Sequence, residues 1–409
     1  MNVVYFEDGN AARLLPLTWL RACFELRCGR DRLMDKVRTH LSPRIVKLLL
    51  RAHLQEVVGE RIRLEAVDRS AGWCLLNARA LVTGDVVAPQ AGVAWQQGGY
   101  LVAAGLRAEQ VAGLSSEIFE DPERIDAWLS DFRIEHAPPQ VGLVDYPWDL
   151  VLVNGAELRR QCRSGGVHEG QVDVGAHLVR PSEIYVGAGA VVKPGAVLDA
   201  EDGPIHLDAG VLIQPNAVLV GPCYVGRESI IRPGASIRDG TSVGPVCKVG
   251  GEVVTSIVHS YTNKQHDGYL GHSYVGKWVN LGADTITSDL KNTYGTIRVA
   301  VNGVGVETGQ HFVGSLVGDH AKTGIGTILP TGGVVGVAAN VFTQGPVPKF
   351  VPSFAWLTDE GLSAYRVDKA TQIARVVMNR RDIELSALEE RLLAEVAKQA
   401  RQMESAGWA

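Results

Sequence analysis

The sequence predicts three consecutive units: an α/β domain, a parallel β-helix and C-terminal helices. Three observations predict them. A branched aliphatic residue recurs every sixth position from Leu207 through Ile213, Leu219, Val225, Ile231, Ile237 and Val243 to Val249. Before this run, buried-type strands alternate with helical patterns; after it, apolar residues return at helical spacing. Hexads of this kind build a parallel β-helix, three to a triangular coil, with coils stacked about 4.8 Å apart. The aliphatic faces inward, and a small residue follows four positions later at Ala217, Ser229, Ala235 and Thr241.

The expected units are residues 1–155, a linker at 156–171, the β-helix at 172–345 and the C-terminal segment at 346–409. Asn2 to Phe6 reads as a buried strand running into the turn Glu7-Asp-Gly-Asn-Ala-Ala-Arg13. Strands that feed a Gly-containing turn are where α/β proteins hold phosphates, although a single glycine suits an ordinary βα turn equally well. His40 to Glu56 carries helical apolar spacing. Trp73 to Asn77 is a strand ending in the polar Asn77-Ala-Arg79, Tyr100 to Ala104 is another, and Pro122 to Phe132 is a short helix with proline at its start. Gly155 to Arg163 is expected to be a helical connector and Ser164-Gly-Gly166 a hinge.

The β-helix is then expected to begin with Val174, Val186, Val192 and Leu198, slip out of phase at Glu201-Asp-Gly203, and settle at Leu207. The frame breaks after Val249, resumes through Tyr269, Val275 and Leu281, breaks again, resumes at Val313 and Ile325, and fades near Val341. The breaks, Gly251–Asp267 and Thr287–His311, read as insertions, which in solenoids often build the binding face. Pro346, Pro348 and Pro352 should end the solenoid. Ile373, Val376, Val377, then Leu385, Leu388, Leu392 and Val396 follow helical spacing, and Ser386-x-x-Glu389 is a capping box.

Composition narrows the function. With 409 residues, 46% of them hydrophobic, and a net charge of -5, the chain has material for two or three domains and no basic stripe for nucleic acid or an anionic membrane. No apolar run approaches membrane-spanning length and no signal peptide is visible. Six scattered cysteines without a Cys-x-x-Cys suggest a reduced, cytoplasmic protein.

Two stretches carry a resemblance. Arg13-Leu-Leu-Pro-Leu-Thr18 resembles part of the signature G-x-G-T-R-L-x-P-L-T of sugar-phosphate nucleotidyltransferases, with Ala11 in place of the second glycine. His266-Asp-Gly-Tyr269-Leu-Gly and Asn280-Leu-Gly-Ala-Asp-Thr-Ile-Thr287 resemble G-H-x-x-Y-L-G and N-I-G-A-G-T-I-T of the bifunctional uridyltransferase/acetyltransferases that make UDP-N-acetylglucosamine. Arg232-Pro-Gly-Ala235 is similar to that family's R-P-G-A. The whole resembles a variant branch with a short nucleotidyltransferase-like domain before a left-handed β-helix.

The resemblance implies His266 as the catalytic base, Arg232, Lys248, Tyr269 and Asn280 as substrate-binding residues, and Ser315 on acetyl-coenzyme A. It implies Gly9, Asn10, Arg13 and Arg21 on a nucleoside triphosphate, and Asn77 and Asn154 at a Mg2+ site where the family has an aspartate and an asparagine. Acetyl transfer to an amine needs a base, and histidine titrates in the right range. The expected substrates are a sugar 1-phosphate, a nucleoside triphosphate and acetyl-coenzyme A, and the expected assembly is a homotrimer. Two alternatives stay open: an acyltransferase whose first domain only binds a nucleotide, and a trimeric β-helix scaffold or zinc enzyme using some of His259, His266, His272, His311 and His320.

Overall fold

The computed structural model describes residues 1–162, 166 and 169–408. Of the expected hinge, Ser164 and Gly165 lie outside the described residues. The front domain is a six-stranded sheet with helices. Its elements run β1 (Asn2–Phe6), α1 (Leu33–Leu41), β2 (Arg44–Leu49), α2 (Gln55–Arg61), β3 (Trp73–Asn77), β4 (Val93–Gln97), β5 (Tyr100–Leu106), α3 (Pro122–Leu129), β6 (Arg133–His136) and α4 (Pro147–Gln161). Strand order is β2-β1-β3-β5-β4-β6. β1 pairs in parallel with both β2 and β3, so the ends of three parallel strands open together on one edge.

The strands expected at Asn2–Phe6, Trp73–Asn77 and Tyr100 are present, and so is the helix at Pro122. The helix expected over His40 to Glu56 is not. That segment holds the end of α1, then β2, a short turn and the start of α2. Val46, Leu48 and Leu49 fit a half-buried strand as well as a helical face, and pairing with β1 decides between them. The connector helix also begins earlier than Gly155. Pro147 starts α4, so Asn154 lies within this helix and not before it.

Behind α4 the chain winds into the β-helix. Ile205, Cys223 and Thr241 pair successively, so each of these coils consumes three whole hexads. The inward aliphatics from Leu207 to Val249 are wholly buried. Gly244 shows how tightly the coils stack: a Cβ there would lie 1.5 Å from the carbonyl oxygen of His259 on the next coil.

The two frame breaks differ in kind. Across Gly251–Asp267 there is no insertion. Val243 pairs with Val258 and Val249 with Lys264, so the coil is cut short by half a hexad and the strands continue. Across Thr287–His311 the chain does leave the solenoid, forming a hairpin of Arg298–Val301 with Val304–Glu307. This hairpin packs Ile297 and Val299 into the front domain's core, and the Asn302 side-chain amide donates to the Ala12 carbonyl at 3.2 Å.

Three expected inward residues are corrected. Val174 is 97% exposed and Ile325 72% exposed. At the first coil Val172 packs inward instead, and at Tyr269 the inward position belongs to Leu270, because alternation fixes which neighbour faces the prism. The prolines do not end the solenoid either. Phe350–Val351 pairs with Val334–Val335, and Ala355–Thr358 with Asn340–Phe342.

The C-terminal helices are α5 (Val367–Asn379) and α6 (Ala387–Met403). Ser386 Oγ accepts the Glu389 N–H at 3.2 Å, as the capping box requires. The end of α6 is fastened by Glu404, whose buried carboxylate accepts from Trp19 Nε1 at 3.0 Å and from the Ser353 N–H at 2.6 Å.

Candidate functional site

Open parallel sheets bind ligands beyond the carboxyl ends of their strands. In the front domain that edge presents Glu7, Asp8 and Gly9 after β1, Arg51 and His53 after β2, and Asn77 and Arg79 at the end of β3. A cavity of about 490 Å³ opens there, lined among others by Asp8, Gly9, Ala12, Arg51 and Glu120. Gly9–Leu14 is a short 3-10 segment started by Asp8, whose carboxylate accepts the Asn10 N–H at 3.1 Å. Gly9 is exposed, and a Cβ there would meet the Glu120 carbonyl at 3.0 Å. Arg13 reaches over the Tyr100 and Tyr146 rings and donates to Tyr100 Oη at 3.3 Å.

Arg79 dominates the electrostatics of this edge. Its guanidinium is wholly buried and grips Asp8 through Nε and Nη2 at 3.0 and 2.7 Å, while Nη1 donates to Asp145 and to the Val144 carbonyl at 2.8 Å. Burial opposes the charge on Glu7 beside it, but Arg51 and the Cys23 N–H outweigh burial and hold its carboxyl below the usual range.

The residues expected to hold Mg2+ do not fit it. Asn77 Oδ1 accepts the Arg79 N–H at 2.9 Å, and its amide donates to Asp8 and to the Leu101 carbonyl. Asn154 faces the β-helix instead. It accepts the Gly29 N–H at 2.6 Å and donates to the Gly240 carbonyl and Ser242 Oγ. The two asparagines share no partner among the described residues, and Asp8, the carboxylate that Asn77 touches, is neutralised by Arg79. Arg21 is also not at this edge. It is buried against Asp319 of the β-helix.

In the β-helix, His266 is exposed at a coil corner, just after the strand Asn263–Lys264. Lys264 occupies the inward position opposite Val249, is 2% exposed, and donates from Nζ to the His266 carbonyl at 2.7 Å. Burial brings its pKa down to about 8. His266 and Asn280 line one cleft of about 150 Å³, with Asn263, Leu281 and Ile325. A second cleft of about 220 Å³ shares Asn263 and Asn280 and adds Trp278, Lys322, Arg380 and Arg381.

These residues stack because the coils stack. Ile230, Lys248, Asn263, Asn280 and Lys322 are successive partners along one face. Arg381, just beyond α5, donates to Asn263 Oδ1 at 3.2 Å. Burial and the charges of Arg381, Arg232 and Arg380 together push the Lys248 pKa down. Four cations thus share one field, the arrangement that takes an anion. Sequence reasoning missed Lys322, Arg380 and Arg381. The adjacent Arg380-Arg381 after an amphipathic helix was the available signal, but only packing shows which face it meets.

Two expected site residues lie elsewhere. Tyr269 is on the neighbouring face, where its hydroxyl donates to Asp289 at 2.8 Å, and Asp289 also holds His272 Nδ1 at 2.7 Å. Ser315 is wholly buried; its Oγ faces no solvent and its N–H donates to Ser273 Oγ. The histidines of the zinc alternative do not gather: His259 lies between Ser260 and the Glu25 carbonyl, and His311 against the Tyr294 carbonyl. Among the described residues no three His, Cys, Asp or Glu form a metal-holding group.

Residues 3–164 match the family described as sugar nucleotidyl transferase. A bifunctional protein GlmU from Synechococcus sp. (strain CC9311) is 27% identical over 46% of this chain and 38% of its own length. One from Methanococcus vannielii is 30% identical over 34% of this chain and 32% of its own. A bifunctional sugar-1-phosphate nucleotidylyltransferase/acetyltransferase from Sulfurisphaera tokodaii is 28% identical over 38% of each. The chain thus spans less than half the length of these relatives. Among solved structures, LpxA from Acinetobacter baumannii aligns with 57% of this chain and 90% of its own at 11% identity and a TM-score of 0.21. The chain is thus similar to GlmU proteins over part of their length, with residues 3–164 matching the sugar nucleotidyl transferase model in front of a parallel β-helix.

Proposed function

We propose that the chain is a transferase of sugar-nucleotide synthesis that acetylates an amino-sugar 1-phosphate, glucosamine 1-phosphate, and then joins it to UTP, giving UDP-N-acetylglucosamine. The observation that carries the first step is that His266 and Asn280 line one cleft, and that the cleft beside it is lined by Lys322, Arg380 and Arg381, with Lys248 in the field of Arg232 and both arginines. The sugar amine attacks the thioester carbonyl of acetyl-coenzyme A. The C–N bond forms, the C–S bond breaks, and His266 takes the amine proton as the coenzyme A thiolate leaves. Asn280 orients the amine or the acyl oxygen, and Arg232 with Lys248 holds the phosphate.

The cleft is open and its base is exposed, so a second subunit is needed to exclude water. We place the chain in a cytoplasmic homotrimer; a monomer by sedimentation at micromolar concentration overturns that assembly. His266→Ala should lower acetyl turnover by at least about 10²-fold, with KM little changed. Because His266 is outward-facing, the variant should fold normally. Full activity in a folded His266→Ala protein refutes the assignment.

For the front domain the Gly9–Arg13 turn is the proposed nucleotide cradle. A specific observation also favours a second reading, in which this domain binds nucleotide without transferring it: Arg79 already neutralises Asp8, the carboxylate at the head of that turn. Pyrophosphate release from UTP with a panel of sugar 1-phosphates separates the two. Release that falls in Arg13→Ala supports transfer, and UTP binding without release supports the second reading.

A further inference from the structure

Where the front domain, the β-helix and the C-terminal helices meet, the structure holds a cavity of about 230 Å³. It is separate from the His266 cleft and from the nucleotide edge, and shares only Trp278 with the cationic cleft beside His266. Arg21 enters it from the front domain, 1% exposed. One end of its guanidinium pairs with Asp319, but Nε and Nη1 have no acceptor. His320 lines the same cavity, 6% exposed, and its Nδ1 also has no partner. Buried donors and acceptors without partners are rare in native structures, and each calls for a missing water, ion or ligand.

The charges specify what is missing. Three cations reach the cavity: Arg21, Arg61 and Lys277. Arg21 has Asp319, and Arg61 has Glu389 at 2.8 Å and the Leu20 carbonyl. Lys277 donates its backbone N–H to Asp319 at 2.8 Å, but its ammonium makes no hydrogen bond among the described residues. Glu25 and Asp319 act on that ammonium through their fields, the Glu25 carboxylate accepting the Ala22 N–H at 3.0 Å. Burial, and after it the charge of Arg21, holds the Lys277 pKa down to about 8. Lys277 therefore has no hydrogen-bonded carboxylate of its own, and a ligand carboxylate would supply one. The walls specify the rest of the ligand. Trp278 stacks on Tyr261 with ring centres 4.3 Å apart and on His320 at 6.3 Å, giving a layered aromatic side. Leu385, Leu392 and Leu393 of the C-terminal segment form an apolar wall.

We propose that this cavity is a binding site for a small organic monocarboxylate with a flat or branched apolar body, its carboxylate on Arg21 and Lys277 and its body between Trp278 and the leucines of the C-terminal segment. Such a ligand supplies acceptors to the orphaned guanidinium, pairs with Lys277, and touches all three units at once. The volume lies below the range of drug-sized sites, which limits the body to about one ring.

The test uses the full chain. Benzoate, isovalerate and inorganic phosphate are titrated separately into the wild type, following the unfolding midpoint and tryptophan fluorescence. A saturable rise in midpoint with benzoate or isovalerate, with little effect of phosphate, is expected, since a ligand that binds only the folded state stabilises it by mass action. Lys277→Met keeps an unbranched apolar stem, one atom shorter, and removes the charge. It should fold, with an unfolding midpoint at or above that of the wild type because a buried cation is gone, and should raise the carboxylate dissociation constant at least tenfold. No saturable response to either carboxylate overturns the proposal. So does a response to phosphate alone, or an equal response in Lys277→Met.

Discussion

Replacing Arg79 by methionine isolates the charge at the centre of the front domain. Methionine keeps an apolar stem, so the loss falls on the charge and the hydrogen bonds of the guanidinium. The wild-type guanidinium makes four contacts, two of them to Asp8, and both side chains are almost wholly buried. In Arg79→Met the Asp8 carboxylate keeps only the Asn10 N–H and the Asn77 amide. Removing one partner of a buried ion pair costs about 3–5 kcal/mol, because the other charge is left uncompensated. The Asp145 contact is half-exposed and adds little. Urea unfolding followed by circular dichroism should show a loss in this range. The double variant Asp8→Asn/Arg79→Met should be more stable than Arg79→Met alone, since the orphaned charge is gone. A single-variant loss below about 1 kcal/mol, or a double variant no better than the single, refutes the view that Arg79 neutralises Asp8.

Lys264→Met tests the buried lysine under His266. The folded pKa, about 8, lies below the ordinary value of 10.5. Between these values the unfolded chain holds the extra proton, so this group's contribution to stability rises with pH. From pH 8 to 9 the wild type should gain about 1 kcal/mol relative to the variant by paired denaturation curves; an unchanged difference refutes the shift. Gly244→Ala forces a Cβ against the His259 carbonyl, so its loss should reach or exceed the top of the roughly 1–3 kcal/mol range for overpacking, measured by urea unfolding. Arg381→Ala should raise KM for the proposed sugar phosphate roughly ten- to a hundredfold with little change in kcat, as expected for a charge-assisted contact worth about 1.5–3 kcal/mol, and the effect should shrink at high salt.

The β-helix was legible because its repeat is written in hexads and each inward aliphatic obeys the same constraint. The C-terminal helices were legible from apolar spacing and one capping box. Illegible parts depended on pairing partners far away in the chain. Val46, Leu48 and Leu49 became a strand only because β1 lies beside them. The break at Gly251–Asp267 looked like an insertion because a coil short by half a hexad violates the repeat while keeping every strand paired. His266 and Asn280 were found together, since their motif spacing places them one coil apart. Ser315 was not where expected, because a Val-Gly-Ser turn leaves open which way its hydroxyl points. Arg380 and Arg381 came from another unit altogether.

Stacked coils also make the proposed acyl-transfer face a ruler. Arg232 follows the strand Ile230–Ile231, and His266 follows Asn263–Lys264, two ladder steps further along. Each step advances about 4.8 Å, so the proposed phosphate anchor and the proposed base stand about 10 Å apart along the axis. That span is quantised. Removing one whole coil between them would leave both on the same face and subtract a single step, whereas removing one or two hexads would turn the anchor onto a different side of the prism. Substrate length on such a scaffold is therefore set by counting coils, and a longer acceptor is reached by adding a whole one.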